Sequence, residues 1–128
     1  MDEQLFKNRT KRLALRFIKL VEALPKNQTA DVIGRQLVRS ATSIGANYRA
    51  ACRGKSTADV IAKLRTVEEE ADESVYWIEL LIESGLVPAA DMSEVLQETD
   101  EIISMTVASI KTLQKRNSVS EFNRKSKI

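Results

Sequence analysis

The stretch "CRGKSTAD", residues 52–59, reads as a tight turn between two long helices. Before it, apolar residues recur at helical spacing: Ile33, Leu37, Ala41, Ile44, Tyr48 and Ala51. Gly54 suits the C-terminal cap of that helix. After it, Ser56 can cap the next helix, with Asp59 at the spacing of a capping box. So short a connection between long helices predicts that the two run antiparallel, side by side.

Apolar periodicity and Pro or Gly stops divide the rest of the chain in the same way. Four helices are predicted, over residues 8–24, 29–54, 56–85 and 88–117. Loops of two to five residues then give an all-α fold, an up-down-up-down antiparallel four-helix bundle. We expect one domain over residues 1–117. The segment 118–128 has no apolar period, which predicts a disordered basic tail.

The composition excludes several kinds of site. The 128 residues contain no histidine, which removes the commonest general base and metal ligand. The single cysteine, Cys52, cannot form an intramolecular disulfide and is expected to be a small buried hydrophobe. No run approaches the ~20 apolar residues of a membrane span, and the polar start resembles no signal peptide. We expect a cytoplasmic protein with no cofactor, no metal and no membrane association.

The net charge of +2 conceals two opposite halves. Residues 1–55 carry 12 basic and 4 acidic residues, a net of +8, whereas residues 56–116 carry 5 basic and 13 acidic residues, a net of −8. A basic half can bind phosphates without reading sequence, although solubilising side chains would give the same pattern. The candidate nucleic-acid contacts are Arg9, Lys11, Arg12, Arg16, Lys19, Arg35, Arg49, Arg53 and Lys55.

The run "EEEADESVYW", residues 68–77, is the densest acidic segment. It could be a metal or catalytic site, an acidic binding surface or a solvated helix face. Arg39 precedes Gly54 by fifteen residues, and Glu69 and Glu70 follow it by fifteen and sixteen. Antiparallel helices pair residues at equal distances from their turn. We therefore predict that Arg39 contacts Glu70 and Glu73, setting the register of the two helices.

Two segments resemble one protein family. "RSATSIGANYRAACRGKSTADVIAKL", residues 39–64, and "EEADESVYWIELL", residues 69–81, are similar to the motifs of the four-helix-bundle proteins encoded within intervening sequences of bacterial 23S rRNA genes. Arg49 departs from the pattern, since many relatives have a glutamate near it. The residues carried over as polar or interface positions are Arg39, Ser40, Ser43, Asn47, Glu70, Glu73, Tyr76 and Trp77.

The resemblance implies a non-enzymatic bundle that assembles as a ring, a homopentamer, and associates with RNA or DNA. Related accessory proteins of diversity-generating retroelements bind nucleic acid and reverse transcriptase through basic ring surfaces. The charge halves favour a ring independently, because a basic face that meets an acidic face makes a head-to-tail contact. Tyr76 and Trp77 are residue types that dominate such interfaces, although packing inside the bundle is the other use for Trp77.

An enzyme is the alternative. All-α nucleoside triphosphate pyrophosphohydrolases hold magnesium with acidic residues on two successive helices. Here Glu69, Glu70 and Glu73 resemble the first element, and Glu98 and Glu101 lie on the next helix. Carboxylates suit Mg²⁺ without histidine. In those enzymes the second element ends in Asp, whereas here it ends in Glu101. Acidic pairs at this spacing also arise easily by chance in so acidic a segment.

Overall fold

A computed structural model describes residues 2–126, which form four α-helices. They are α1 (Glu3–Glu22), α2 (Gln28–Cys52), α3 (Thr57–Glu83) and α4 (Ala89–Ser126). Each helix packs on the next along the chain, and α4 returns to α1. The α2–α3 interface is the most extensive and the α1–α4 interface the least. The predicted all-α four-helix bundle is confirmed.

Side-chain caps explain where the first three helices begin. The Asp2 carboxylate accepts a hydrogen bond from the Leu5 backbone N–H at 2.8 Å, so α1 begins before the predicted Asn8. The Asn27 side chain caps α2 in the same way, because its Oδ1 accepts a hydrogen bond from the Ala30 backbone N–H. At α3, Ser56 accepts from the Asp59 N–H and Asp59 accepts from the Lys55 N–H, each at 3.1 Å. These caps satisfy backbone donors that have no partner within the helix.

Gly54 serves the α2–α3 turn by its size and not by a left-handed backbone. A Cβ built on Gly54 would overlap the Cγ2 of Val60. Within residues 2–126, the one glycine with positive φ is Gly85, at 79°, just after α3. There the Leu86 N–H reaches back to the Leu81 carbonyl at 3.0 Å, which is a Schellman-type helix ending.

The core is a continuous apolar cluster contributed by all four helices. All six residues of the predicted α2 stripe are buried. Phe6 of α1 packs edge-to-face on Tyr48 of α2, with ring centroids 4.4 Å apart. Thr99 and Thr106 occupy buried positions of α4 because each hydroxyl donates to a carbonyl of its own helix. Polar residues can therefore complete the core without leaving a hydrogen-bonding group unpaired.

The C-terminal end of α4 differs from the sequence-based prediction. That prediction ended the helix near Asn117 and made residues 118–128 a disordered tail. In the structure α4 continues to Ser126, while residues 127–128 lie outside the described residues. The missing apolar period indicates that this part of α4 is unpacked, not that it is unfolded. Ile110 is the last buried side chain of α4, and beyond it the helix projects past the core.

Candidate functional site

The predicted contact between α2 and α3 is present and is centred on Arg39. Its guanidinium lies 3.3 Å from the Glu70 carboxylate through Nη1 and pairs with Glu73 through Nη2. Arg39 Nε donates to the Gln36 side chain at 3.0 Å, and Trp77 Nε1 donates to Glu73 Oε2 at 2.9 Å. We call these five residues the Arg39 cluster. It orients Trp77 on α3 as well as joining the two helices.

A buried pair of serines lies next to the Arg39 cluster. Ser40 and Ser74 are fully buried, and their hydroxyl oxygens are 2.8 Å apart in a hydrogen bond. Ala41 and Ala71 are also fully buried. The small serine side chains allow a close approach of α2 to α3, and their mutual hydrogen bond forms only at that register, although each hydroxyl also bonds a carbonyl of its own helix. Arg39 itself is half-exposed, at 48%, so its ion pairs add specificity more than net stability.

The other motif residues are not part of the Arg39 cluster. Ser43 donates to the Arg39 carbonyl at 2.7 Å, and Asn47 donates to the Ser43 carbonyl at 2.8 Å, both within α2. Tyr76 is 53% exposed and meets the partly buried Trp77 edge-on, with ring centroids 5.1 Å apart. Trp77 therefore packs within the bundle, whereas Tyr76 remains available to a partner.

A second polar contact, which sequence reasoning missed, ties α1 to α4. Arg9 binds both oxygens of Glu98, at 3.0 and 2.6 Å, and Nη2 also reaches Glu101 at 3.0 Å. Arg16 pairs with Glu94 at 3.0 Å. The order of these pairs shows that α1 and α4 are antiparallel. Opposite charges on the first and fourth helices were the signal, since those helices must meet in a closed four-helix bundle.

The Arg9–Glu98 pair changes the acidity of both groups. Glu98 Oε atoms accept charge-assisted hydrogen bonds from Arg9, which hold the pKa of Glu98 below its ordinary value despite partial burial. The same hydrogen bond raises the pKa of Arg9. Arg9 and Arg16, both expected to contact nucleic acid, are thus engaged with carboxylates of their own chain. Their place in a nucleic-acid surface is correspondingly weakened.

The remaining predicted basic residues are exposed on the side of the bundle formed by α1 and α2. We call this set the basic face: Lys11, Arg12, Lys19, Arg35, Arg49, Arg53 and Lys55. None of them takes part in an ion pair with another residue of the described chain. Arg35, Arg49 and Arg53 share the outward side of α2 by their helical spacing. Seven cations without paired acids leave this side of the bundle electropositive.

The acidic residues that the enzyme alternative would use to bind magnesium contact arginines or face solvent instead. Glu70 and Glu73 contact Arg39, and Glu98 and Glu101 contact Arg9, while Glu69 is exposed. Across residues 2–126, no three acidic, histidine or cysteine side chains converge in a way that could hold a metal ion. The acidic run therefore joins helices at two positions and forms an outward face at the others.

Cys52 lies in a cleft of about 520 Å³ at the end of the bundle near the α2–α3 turn. The cleft is open between the start of α1 and the last buried turns of α4, and Tyr48, Leu64 and Leu113 line it. Cys52 is partly buried, and this burial raises the pKa of its thiol. A thiol that stays protonated is a poor nucleophile, which agrees with the expected packing role.

The part of the chain that the structure describes contains no helix long and apolar enough to cross a membrane.

These observations define a closed four-helix bundle whose second and third helices are joined by a polar cluster. The family model of the 23S rRNA-intervening sequence proteins matches residues 3–108. The chain belongs to that family, as its motifs suggested. Comparison with curated proteins gives no match.

One solved structure is similar over almost its whole length. It is a crystal structure of a protein of unknown function from the S23 ribosomal protein family of Bacteroides thetaiotaomicron. It shares 34% sequence identity with this chain and superposes with a TM-score of 0.80. The alignment covers 87% of this chain and 99% of that one.

Replacing Arg39 with Met should lower the free energy of unfolding by about 1 kcal/mol, more than the ~0.5 kcal/mol typical of a surface change. The variant leaves Glu70 and Glu73 without their cation. Glu73, which accepts the hydrogen bond from Trp77 Nε1, is then no longer held in place by Arg39. Arg35→Met is the matched control, since within the described residues the Arg35 side chain forms no ion pair and its hydrogen bond goes to the Asp31 carbonyl of its own helix. Urea unfolding at one fixed protein concentration measures both. Equal costs for the two variants would show that the Arg39 cluster stabilises nothing specific.

Glu98→Gln should cost about 1 kcal/mol at pH 7 and progressively less in acid. Because the pKa of Glu98 is lowered by folding, its contribution is complete above the pKa of the unfolded chain and is lost as pH falls through the folded value. Glu94→Gln is the control, because Glu94 is 86% exposed beside Arg16. Thermal unfolding from pH 3 to pH 7 gives the comparison. A penalty independent of pH would contradict the assigned role of the Glu98 charge.

Proposed function

We propose that the protein is a non-enzymatic, oligomeric accessory protein that binds RNA or DNA through its basic face. The observation that supports this most directly is the set of seven exposed cations that no acid of the described chain pairs. Phosphate oxygens are the anions that such a face would attract, and attraction of this kind is independent of sequence. A cytoplasmic location agrees with the single unpaired cysteine.

The enzyme alternative has less to support it. A magnesium site would need Glu70, Glu73, Glu98 and Glu101 to converge, and each of them contacts an arginine. Neither the family nor the neighbouring crystal structure is named for a catalytic activity. We therefore retain binding as the proposed function. A reverse transcriptase as an additional protein partner rests on the resemblance alone.

The proposed assembly is a homopentameric ring. The outward side of α3 carries the exposed acids Glu69, Asp72, Glu79 and Glu83 around the exposed Tyr76. The outward side of α2 carries Arg35 and Arg49, which the ring contact would cover, so that nucleic acid would meet the other five residues of the basic face. A contact between α3 of one copy and α2 of the next is electrostatically favourable and head-to-tail, so it closes into a ring or continues as a filament. The number five comes from the resemblance.

Nucleic-acid binding should weaken steeply with salt and differ little between sequences. Fluorescence anisotropy with a labelled single-stranded RNA, at 50 to 300 mM salt, gives the slope of log affinity against log salt. Lys11→Gln with Arg12→Gln should reduce that slope by about 0.7 for each phosphate that the variant no longer neutralises. Lys26→Gln, in the α1–α2 loop outside the basic face, is the control. An affinity that does not vary with salt, or no binding to any nucleic acid at low salt, would remove the proposal.

Light scattering in moderate salt should report about five times the 14.4 kDa of one chain. Asp72→Lys, on the outward side of α3, should lower that mass because it places a cation opposite the arginines of α2. Asp100→Lys, on the exposed side of α4, should leave the mass unchanged. A monomer at micromolar concentration would exclude the ring, and a two-fold dimer would exclude the head-to-tail contact. The mass is also measured at each salt concentration of the binding titration, so disassembly is not mistaken for weak binding.

A further inference from the structure

The end of α4 is an exposed helix that lies outside the family-defined bundle. The family match stops at residue 108, whereas α4 continues to Ser126. After Ile110, only Leu113 and Asn117 are even partly buried within the described chain. We call residues 111–126 the C-terminal arm. From Leu113 to its end the arm extends about 20 Å along the helix axis.

The arm is basic and carries one prominent aromatic side chain. It contains five cations and one acid: Lys111, Lys115, Arg116, Arg124 and Lys125 against Glu121. Phe122 is 70% exposed, which makes it the most exposed large apolar side chain of residues 2–126. Lys111, Lys115, Phe122 and Lys125 follow one another at offsets of 4, 11 and 14 residues, which places them on one face of a helix. Three lysines therefore share the face of the arm that carries the exposed phenyl ring.

The arm begins beside other cations of the bundle. Leu113 and Arg116 line the cleft that also contains Cys52 and Val60, so the arm leaves the bundle at the α2–α3 turn. That turn contributes Arg53 and Lys55 of the basic face, and both are exposed. The arm thus extends the basic face beyond the end of the bundle.

We propose that the C-terminal arm is a binding site for single-stranded nucleic acid, with the lysines on the phosphates and the Phe122 ring stacked on an unpaired base. This inference rests on the proposed nucleic-acid function and adds a site to it. An aromatic ring next to cations is the usual arrangement for sequence-tolerant single-strand binding. In a duplex the faces of the bases are covered by their neighbours, so Phe122 would be of use only with unpaired bases.

Two other occupants of the arm are less favourable. An anionic membrane would require a broad apolar face, and within the described part of the arm the large apolar side chains that are exposed are Val119 and Phe122 alone. A second arm packed alongside would bring together two segments of the same positive sign, each with a net charge of +4. The charge and the isolated ring both suit a polyanion with exposed bases.

The decisive experiment compares Phe122→Ala with Val119→Ala, the neighbouring exposed apolar residue of the arm. The probes are a fluorescent single-stranded 12-mer of uridine and a 12-base-pair RNA duplex. Phe122→Ala should weaken single-strand binding by about 5- to 140-fold, as expected for the loss of one stacked base, without changing duplex binding. Phe122→Trp should retain or increase single-strand affinity. Val119→Ala should leave both affinities unchanged.

Charge variants test the lysines separately. Lys115→Gln should reduce the single-strand salt slope by about 0.7. A chain that ends at Asn117, which lacks Phe122 and the last cations of the arm, should bind the single strand no more tightly than Phe122→Ala does. Circular dichroism and light scattering confirm that each variant keeps the bundle and its assembly. The arm carries the site if Phe122→Ala alone distinguishes the single strand from the duplex.

The remaining outcomes overturn the proposal in recognisable ways. Unchanged binding by Phe122→Ala and by the shortened chain would reject the arm and leave the basic face intact as a binding surface. Failure of the full chain to bind either probe at low salt would reject the proposed function together with the arm. Phe122-dependent binding to phosphatidylglycerol vesicles, without an effect on the single strand, would assign the arm to a membrane. A lower mass for Phe122→Ala in light scattering would assign it to contacts between copies.

Discussion

The close packing of α2 on α3 is the constraint on which the rest of the bundle depends. Two small residues, Ser40 and Ser74, are fully buried there, and their hydroxyls bond across the interface. A one-turn slip would break the hydrogen bond between the two hydroxyls, leaving each with only a carbonyl of its own helix, and would move Arg39 away from both glutamates. Burial of polar groups costs free energy, so the serines contribute less to stability than to the choice of one register. With that register fixed, the apolar stripes of α1 and α4 have one surface on which to pack.

The last interface of the bundle is closed in a different way. The α1–α4 contact is the least extensive of the four, and it is bridged by Arg9 and Arg16 to three glutamates. Arg9 and Glu98 are 23% and 22% exposed, so water screens their attraction only in part. This arrangement makes the closure of the bundle more sensitive to salt and acid than its α2–α3 core. It also explains why part of the basic first half of the chain is unavailable to outside anions.

The sequence predicted what local rules control and missed what depends on distant partners. The α2 stripe, the Ser56–Asp59 cap and the Arg39–Glu70 contact follow from helical period, capping and equal distances from one turn. Arg9 and Glu98 are 89 residues apart, and no turn relates them, so only the closed topology brings them together. The end of α4 was mispredicted because an exposed helix needs no apolar period once a packed helix has nucleated it. Gly54 was predicted correctly as a turn residue, but for a conformational reason where the structure shows a steric one.

Charge counts along a sequence cannot distinguish basic residues that form ion pairs within the fold from basic residues that are free to bind a ligand. Here the structure separates them by partner. Arg9, Arg16 and Arg39 each contact carboxylates of their own chain, whereas Arg12, Arg49 and the lysines of the arm form no ion pair within residues 2–126. Removing a paired cation leaves its acids unpaired and affects stability first. Removing an unpaired one leaves no acid without its partner and affects first what the surface attracts. If the basic face binds nucleic acid as proposed, stability and affinity should therefore depend on two separate sets of basic residues, and a variant that weakens both would mark a residue that belongs to both sets.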